Sequence, residues 1–177
     1  MHKLIFYFID EFKKKHLTNL DKNISIIYRN YNKIYNESEV LEIKKFCLST
    51  KRNLFISNNL HLANKLKLDG IYIPSFNKDF SIIRKIDKRL KIIGSAHNVR
   101  EIMIKKKQKV DLIFISPIFK VKKKTDFLDI YRFNILSKMT RNRVIALGGI
   151  NKQNIKKIKI VNCSGFAGIS YFNDRIK

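Results

Sequence analysis

Residues 143–160 read RVIALGGINKQNIKKIKI. An apolar run, Val144 to Leu147, ends in a double glycine and gives way to a lysine-rich segment of helical pattern. Glycine costs backbone entropy and leaves no side chain to pack, so it is kept where the chain must bend or be approached closely. The chain has only six glycines, and two of them stand together here. The stretch reads as a buried strand, a turn whose backbone a small anion can approach, and a helix.

Working outward, the same strand–helix unit recurs along the chain. KLIFYFI precedes DEFKKKHLTNL, ISIIYRNY precedes ESEVLEIKKFCLSTK, NLFISN precedes LHLANKLKL, and GIYIPS precedes FSIIRKIDKRL. KIIGSAH leads to NVREIMIKKKQ, VDLIFISPIF to FLDIYRFNILSKMT, and GFAGISYF closes the series. Apolar strands alternating with amphipathic helices predict a parallel sheet covered by helices. Eight such units predict a compact (β/α)8 TIM barrel. With 177 residues the loops must be short, and only NDRIK follows the eighth strand candidate, so the last helix is truncated. A doubly wound open sheet is the competing arrangement. No break in composition marks a second domain, and residues 1–177 read as one.

Composition narrows the function classes. A hydrophobic fraction of 45% suits a globular chain, and no apolar run reaches the length of a membrane span. The start, MHKLIFYFIDEFKKK, is too short and wrongly flanked for a signal peptide. Cys47 and Cys163 form no CxxC pair, which argues against a disulfide framework or a thiolate zinc site and for a reducing cytoplasm. The net charge of +24 suggests a nucleic-acid partner. The lysines are spread along the whole chain, however, and isoleucine and asparagine are heavily used beside them, as an AT-rich genome dictates. No zinc-finger or RRM motif is present. A solvated basic surface is the reading adopted, with nucleic-acid binding as its rival.

In such a barrel, function lies on the loops after the strand C-termini, and phosphate is usually held after strands seven and eight. Gly148 and Gly149 follow strand seven; Gly168 and Ser170 stand at the end of strand eight. Together they read as a phosphate grip. His97 ends strand five behind three small residues and is the candidate general acid/base, with an imidazole able to titrate near neutrality. Lys120 and Lys122–Lys124 lie on the loop after strand six, either as a solvated run or as a clamp for a polyanion. Arg29 ends strand two, where a guanidinium can hold phosphate oxygens bidentately.

IIGSAHN, VDLIFISPIFKVKKK, VIALGGI and GFAGISYF, between residues 92 and 172, resemble the thiamine phosphate synthase family and its TenI-type thiazole tautomerases. The likeness covers nearly the whole chain in order. Ser116 stands where the family's strand-six motif has glycine. The resemblance implies thiamine biosynthesis: a pyrimidine carried on a diphosphate is joined to a thiazole phosphate, releasing pyrophosphate. It also implies that Gly148, Gly149 and Ser170 hold the thiazole phosphate, that Arg29 and Lys124 face the diphosphate, and that Ser95 and His97 lie at the reacting centre.

The chain departs from that pattern at other positions. The Arg-Glu-Lys string after strand two reads Arg29-Asn30-Tyr31, without the lysine. The Asn-Asp pair after strand three reads Ser57-Asn58, and the second magnesium aspartate, after strand four, falls at Asn77. Magnesium takes hard oxygen ligands and usually a carboxylate or two; only a one-loop shift to Asp79 would restore one. No metal ligand is assigned, and magnesium is expected only of a synthase. Three activities remain open: a condensing synthase of altered chemistry, a metal-free tautomerase, or a non-catalytic binder of a phosphorylated small molecule.

Overall fold

Alternation within the apolar runs decides which side chains fill the barrel and which meet the helices. The computed structural model describes residues 4–31, 34–121 and 126–173. Eight strands are formed: β1 (Leu4–Ile9), β2 (Ile24–Tyr28), β3 (Leu54–Ser57), β4 (Gly70–Ile73), β5 (Lys91–Ala96), β6 (Leu112–Ile115), β7 (Arg143–Leu147) and β8 (Gly165–Gly168). They pair in parallel in chain order and close, with Leu4 opposite Gly165 where β1 meets β8. This is the expected (β/α)8 barrel.

The interior is filled by rings. Phe6, Phe8, Phe55, Tyr72 and Phe114 pack with Ile27, Ile93, Ile145 and Ala167. Phe6 and Phe114 meet edge to face with centroids 5.0 Å apart, and Phe8 meets Tyr72 at 5.1 Å. The alternate residues, among them Tyr7, Ile26, Tyr28, Ile71, Ile113 and Phe166, point outward into a second cluster under the helices. Each fully buried side chain of this size contributes about 1.5–3 kcal/mol of apolar burial.

The connecting helices are α1 (Lys14–Thr18), α2 (Glu37–Ser49), α3 (Leu60–Lys65), α4 (Ile82–Lys85), α5 (Val99–Lys107), α6 (Asp129–Lys138) and α7 (Ser170–Asn173). A 3₁₀ helix at Ile155–Ile160 takes the place of a helix after β7. Its apolar residues Ile155, Ile158 and Val161 recur every third position, the period of a 3₁₀ turn rather than an α-helix. The reading of GFAGISYF as one strand is corrected. β8 stops at Gly168, and the Ile169 carbonyl accepts from Phe172 N and Asn173 N, so Ser170 opens α7. A helical turn buries the consecutive Tyr171 and Phe172 together against Phe166, which an extended strand cannot do. The last helix therefore begins before NDRIK.

Two basic side chains work inside the fold. Lys105 of α5 is fully buried, and its Nζ donates to the carbonyls of Pro74 (2.8 Å) and Asn77 (2.8 Å) and to Gln108 Oε1 (2.9 Å). Burial pulls its pKa down to about 8. Gly94 makes the passage possible, because a Cβ there would lie 2.8 Å from Lys105 Cδ and 2.9 Å from Val110 Cγ1. Arg52 likewise donates to the carbonyls of Leu17, Leu20 and Asp21, closing the end of α1.

Candidate functional site

His97 is set by the start of α5. Asn98 caps the helix, accepting from Glu101 N at 2.9 Å, while the Glu101 carboxylate reaches back to accept from His97 N at 2.7 Å. This is the reciprocal logic of a capping box, displaced by one residue. The half-buried imidazole then meets the next strand: its Nδ1 lies 2.7 Å from the Ser116 carbonyl oxygen and 3.2 Å from Ser116 Oγ. A carbonyl can only accept, so Nδ1 carries the proton, and in the neutral ring Nε2 keeps its lone pair.

Ser95 lies two residues earlier on β5, on the same inward face, and is 3% exposed. Its hydroxyl and the Arg29 guanidinium lie close enough to the Tyr72 phenol to favour its ionised form. Burial raises the Tyr72 pKa to about 12, against the pull of Ser95 and Arg29, so the phenol stays protonated. Arg29 stands just past β2 rather than at its end, its backbone N–H donating to Ile9 O. Its guanidinium lies over the Phe8 ring, 4.4 Å from the centroid. Arg29, Tyr72, Ser95 and His97 thus line one inner arc of the mouth. Tyr72 escaped the sequence reading because it was one apolar-run residue among many.

Across the mouth, Gly148 and Gly149 both take positive φ, 93° and 72°. Their carbonyls are committed: Gly148 O accepts from Phe119 N and Gly149 O from Asn154 Nδ2. Neither glycine's amide N–H has an acceptor among the described residues. The reason these positions must be glycine differs from the expectation that a side chain would fill an anion's space. A Cβ on Gly149 would lie 2.4 Å from Phe119 O and 2.6 Å from Lys120 O, and one on Gly148 2.7 Å from Pro117 Cβ. The double glycine lets the β6 and β7 loops pack together. Gly168 is under no such constraint, since its Cβ would meet nothing nearer than 3.7 Å. Ser170 is exposed at the first turn of α7. Lys124, with Lys122 and Lys123, lies outside the described residues.

The two positions that the resemblance matched to metal aspartates do come together, as amides. Asn77 Nδ2 donates to Asn58 Oδ1 at 2.6 Å. Asp79, the candidate substitute, is engaged locally: one carboxylate oxygen accepts from Ser81 N (2.7 Å) and the other from Ser81 Oγ (2.8 Å). Those bonds hold its pKa below the usual value. Among the described residues, no group of three or more His, Cys, Asp or Glu side chains could gather round an ion.

With the strand-end geometry in view, comparison with known proteins is decisive. The family model described as thiamine monophosphate synthase matches residues 19–172. The chain belongs to this family. A thiamine-phosphate synthase of Methanococcus vannielii is 29% identical over 131 residues, which take in 73% of this chain and 64% of that protein. One from Prochlorococcus marinus subsp. pastoris is 33% identical over 135 residues, 75% of this chain and 38% of that protein. The chain thus spans less than two thirds of the length of these relatives. Among solved structures, a thiamine phosphate pyrophosphorylase from Pyrococcus furiosus superimposes with a TM-score of 0.75 at 16% identity, covering 97% of this chain and 90% of its own. At that identity the likeness shows the barrel. No helix among the described residues is long and apolar enough to cross a membrane.

Proposed function

We propose that this thiamine monophosphate synthase family barrel binds a thiazole phosphate at its mouth and moves a proton on that ring without a metal. The observation that carries the reading is the state of His97. Nδ1 is tied to the Ser116 carbonyl, leaving Nε2 as the basic nitrogen of the mouth. The phosphate binds the Gly148 and Gly149 amides, assisted from the β8 side by the backbone at Gly168–Ser170. Nε2 takes a proton from a ring carbon, and the imidazolium, steadied by the Ser116 carbonyl, returns it to another atom of the same ligand. Atoms and charge balance within one substrate. Ser95, through the Tyr72 hydroxyl and Arg29, orients the ring.

Magnesium fits this donor set poorly. Two neutral amides already bonded to each other stand where carboxylates would neutralise a divalent ion, and Asp79 is held by Ser81. The condensing reaction is the second reading. It is favoured by Arg29, retained at the rim where a diphosphate would lie, and by relatives described as thiamine-phosphate synthases.

The test compares thiazole tautomerisation and thiamine phosphate formation for the wild type and His97→Ala. Isomerase activity that falls by about 10²-fold or more in the variant supports the proposal. Magnesium-dependent thiamine phosphate formation that survives the substitution favours the synthase. Silence in both assays favours a non-catalytic binder.

A further inference from the structure

Lysines scattered along the sequence recur at one place in the fold, the end of the barrel opposite the mouth. Lys51, Lys67 and Lys109 each stand one residue past the C-cap of a helix, α2, α3 and α5, at φ of 57°, 46° and 51°. Each repeats the same pair of hydrogen bonds. The lysine N–H donates three residues back, to Leu48 O, Asn64 O or Lys106 O. The next N–H, of Arg52, Leu68 or Val110, donates five residues back, to Cys47 O, Ala63 O or Lys105 O. These are complete Schellman turns, and glycine is the usual residue at their left-handed position because a Cβ is unfavourable there. Lysine holds that position at a backbone cost, with its side chain exposed.

Other cations fill the neighbouring turns. Lys22 precedes β2, Lys88 and Lys91 stand at the root of β5, and Arg141 and Arg143 at the root of β7, all exposed. Successive strands from β2 to β7 thus each begin beside an exposed cation, and parallel neighbours stand about 4.8 Å apart. Among the described residues none of these cations has an ion-pair partner. Carboxylates in the same turns are engaged: Asp69 accepts from Leu54 N, Asp111 from Ile92 N, and Asp87 pairs with Arg89. Helix dipoles favour a cation near each helix end, but the turns before β5 and β7 carry two unpaired ones apiece. These turns hold no aromatic side chain on which a base could stack. Most of their apolar residues, Leu20, Leu66, Leu68, Leu90 and Val110, are buried, leaving little to insert into a bilayer. What remains is a broad, unpaired positive face, suited to the regular phosphate rows of a duplex. We infer that this end of the barrel binds a double-stranded nucleic acid through its phosphate backbone, without reading its sequence. It shares no residue with His97 or the glycine cradle, so it stands or falls independently of the proposed reaction.

The experiment is fluorescence anisotropy of a labelled DNA duplex of about 20 base pairs, titrated with the full chain between about 50 and 200 mM salt. About six neutralised phosphates, one per strand root, give a slope of about −5.4 in log K against log salt, an affinity loss of about 10³-fold over that range. With Lys51→Gly, Lys67→Gly and Lys109→Gly combined, the slope should shrink to about −2.7 and the loss to about 40-fold. Glycine suits the left-handed turns, so this variant keeps its fold, which thermal unfolding checks. Lys13→Gln, Lys14→Gln and Lys15→Gln combined remove the same charge at the start of α1, near the mouth, and should leave the slope unchanged. Wild-type binding weaker than about 10⁻⁴ M at the lowest salt, or equal losses in the two combined variants, overturns the inference. Tighter binding to a single strand of the same length also overturns it, as does binding to phosphatidylserine vesicles without binding to the duplex.

Discussion

Replacing Lys105 with methionine keeps the stem that crosses Gly94 and removes the ammonium. Three donations are lost, to Pro74 O, Asn77 O and Gln108 Oε1. Hydrogen bonds from a charged donor are each worth about 1.5–3 kcal/mol, but their sum overstates the loss. Pro74 O still accepts from Asn77 N, and Asn77 O from Gln108 Nε2, so only Gln108 Oε1 loses its donor among the described residues. Methionine also relieves the cost of burying a charge. The net destabilisation should be about 2–3 kcal/mol, which for a chain of this size lowers Tm by roughly 5–10 °C. Thermal unfolding followed by circular dichroism at pH 7 measures it. An unchanged or raised Tm would show that the staple contributes nothing.

The same residue sets a pH dependence. Its folded pKa, about 8, lies below the ordinary value of 10.5. Between those values the folded chain has released a proton that the unfolded chain keeps, so stability from this group rises with pH. The slope reaches at most about 1.4 kcal/mol per pH unit. The methionine variant lacks the group, so the advantage of the wild type should widen from about pH 8 to about pH 10.5. A difference that stays flat or narrows contradicts the burial account.

Other substitutions test separate parts of the mouth and its frame. Gly149→Ala forces a Cβ onto two carbonyl oxygens at a φ of 72° and should cost about 2 kcal/mol or more by urea unfolding; Gly168→Ala, with open space, should change stability by less than about 0.5 kcal/mol. Asn58→Asp with Asn77→Asp should introduce a magnesium response, seen as heat in a calorimetric titration that the wild type lacks; equal binding by both would mean the amide pair never replaced a metal site. Arg52→Met uncouples the guanidinium from the carbonyls of Leu17, Leu20 and Asp21 and should lower stability by about 2–4 kcal/mol. A denaturation midpoint matching the wild type would refute that.

The barrel was legible because a parallel, doubly covered sheet turns each strand into an unbroken apolar run, and eight such runs are hard to arrange otherwise. The end of strand eight was not, because Ile169 to Phe172 alternate acceptably as a strand, and only the packing of Tyr171 and Phe172 on Phe166 decides for a turn of helix. At the site, spacing alone brought His97 and the double glycine to the mouth. It could not reveal that Ser116 O fixes the imidazole, since that contact joins neighbouring strands nineteen residues apart. Lys105 was hidden for a plainer reason: in a helix ending Lys105, Lys106 and Lys107, nothing local marks which one turns inward. The signal was Gly94, a small residue in strand β5 whose vacancy the lysine stem fills.

The close fit of Gly149 against Phe119 and Lys120 has a mechanical meaning. Phe119 N is bonded to Gly148 O and Ile118 N to Leu147 O, so the start of the β6 loop is stitched to the turn after β7 along consecutive residues. The two segments cannot slide past each other without breaking those bonds and driving backbone into backbone. An anion that pulls on the glycine amides therefore pulls on Lys120 as well. An anion bound as proposed in the cradle would pass its load, as a lever does, to Lys120 at the root of the lysine-rich loop after β6.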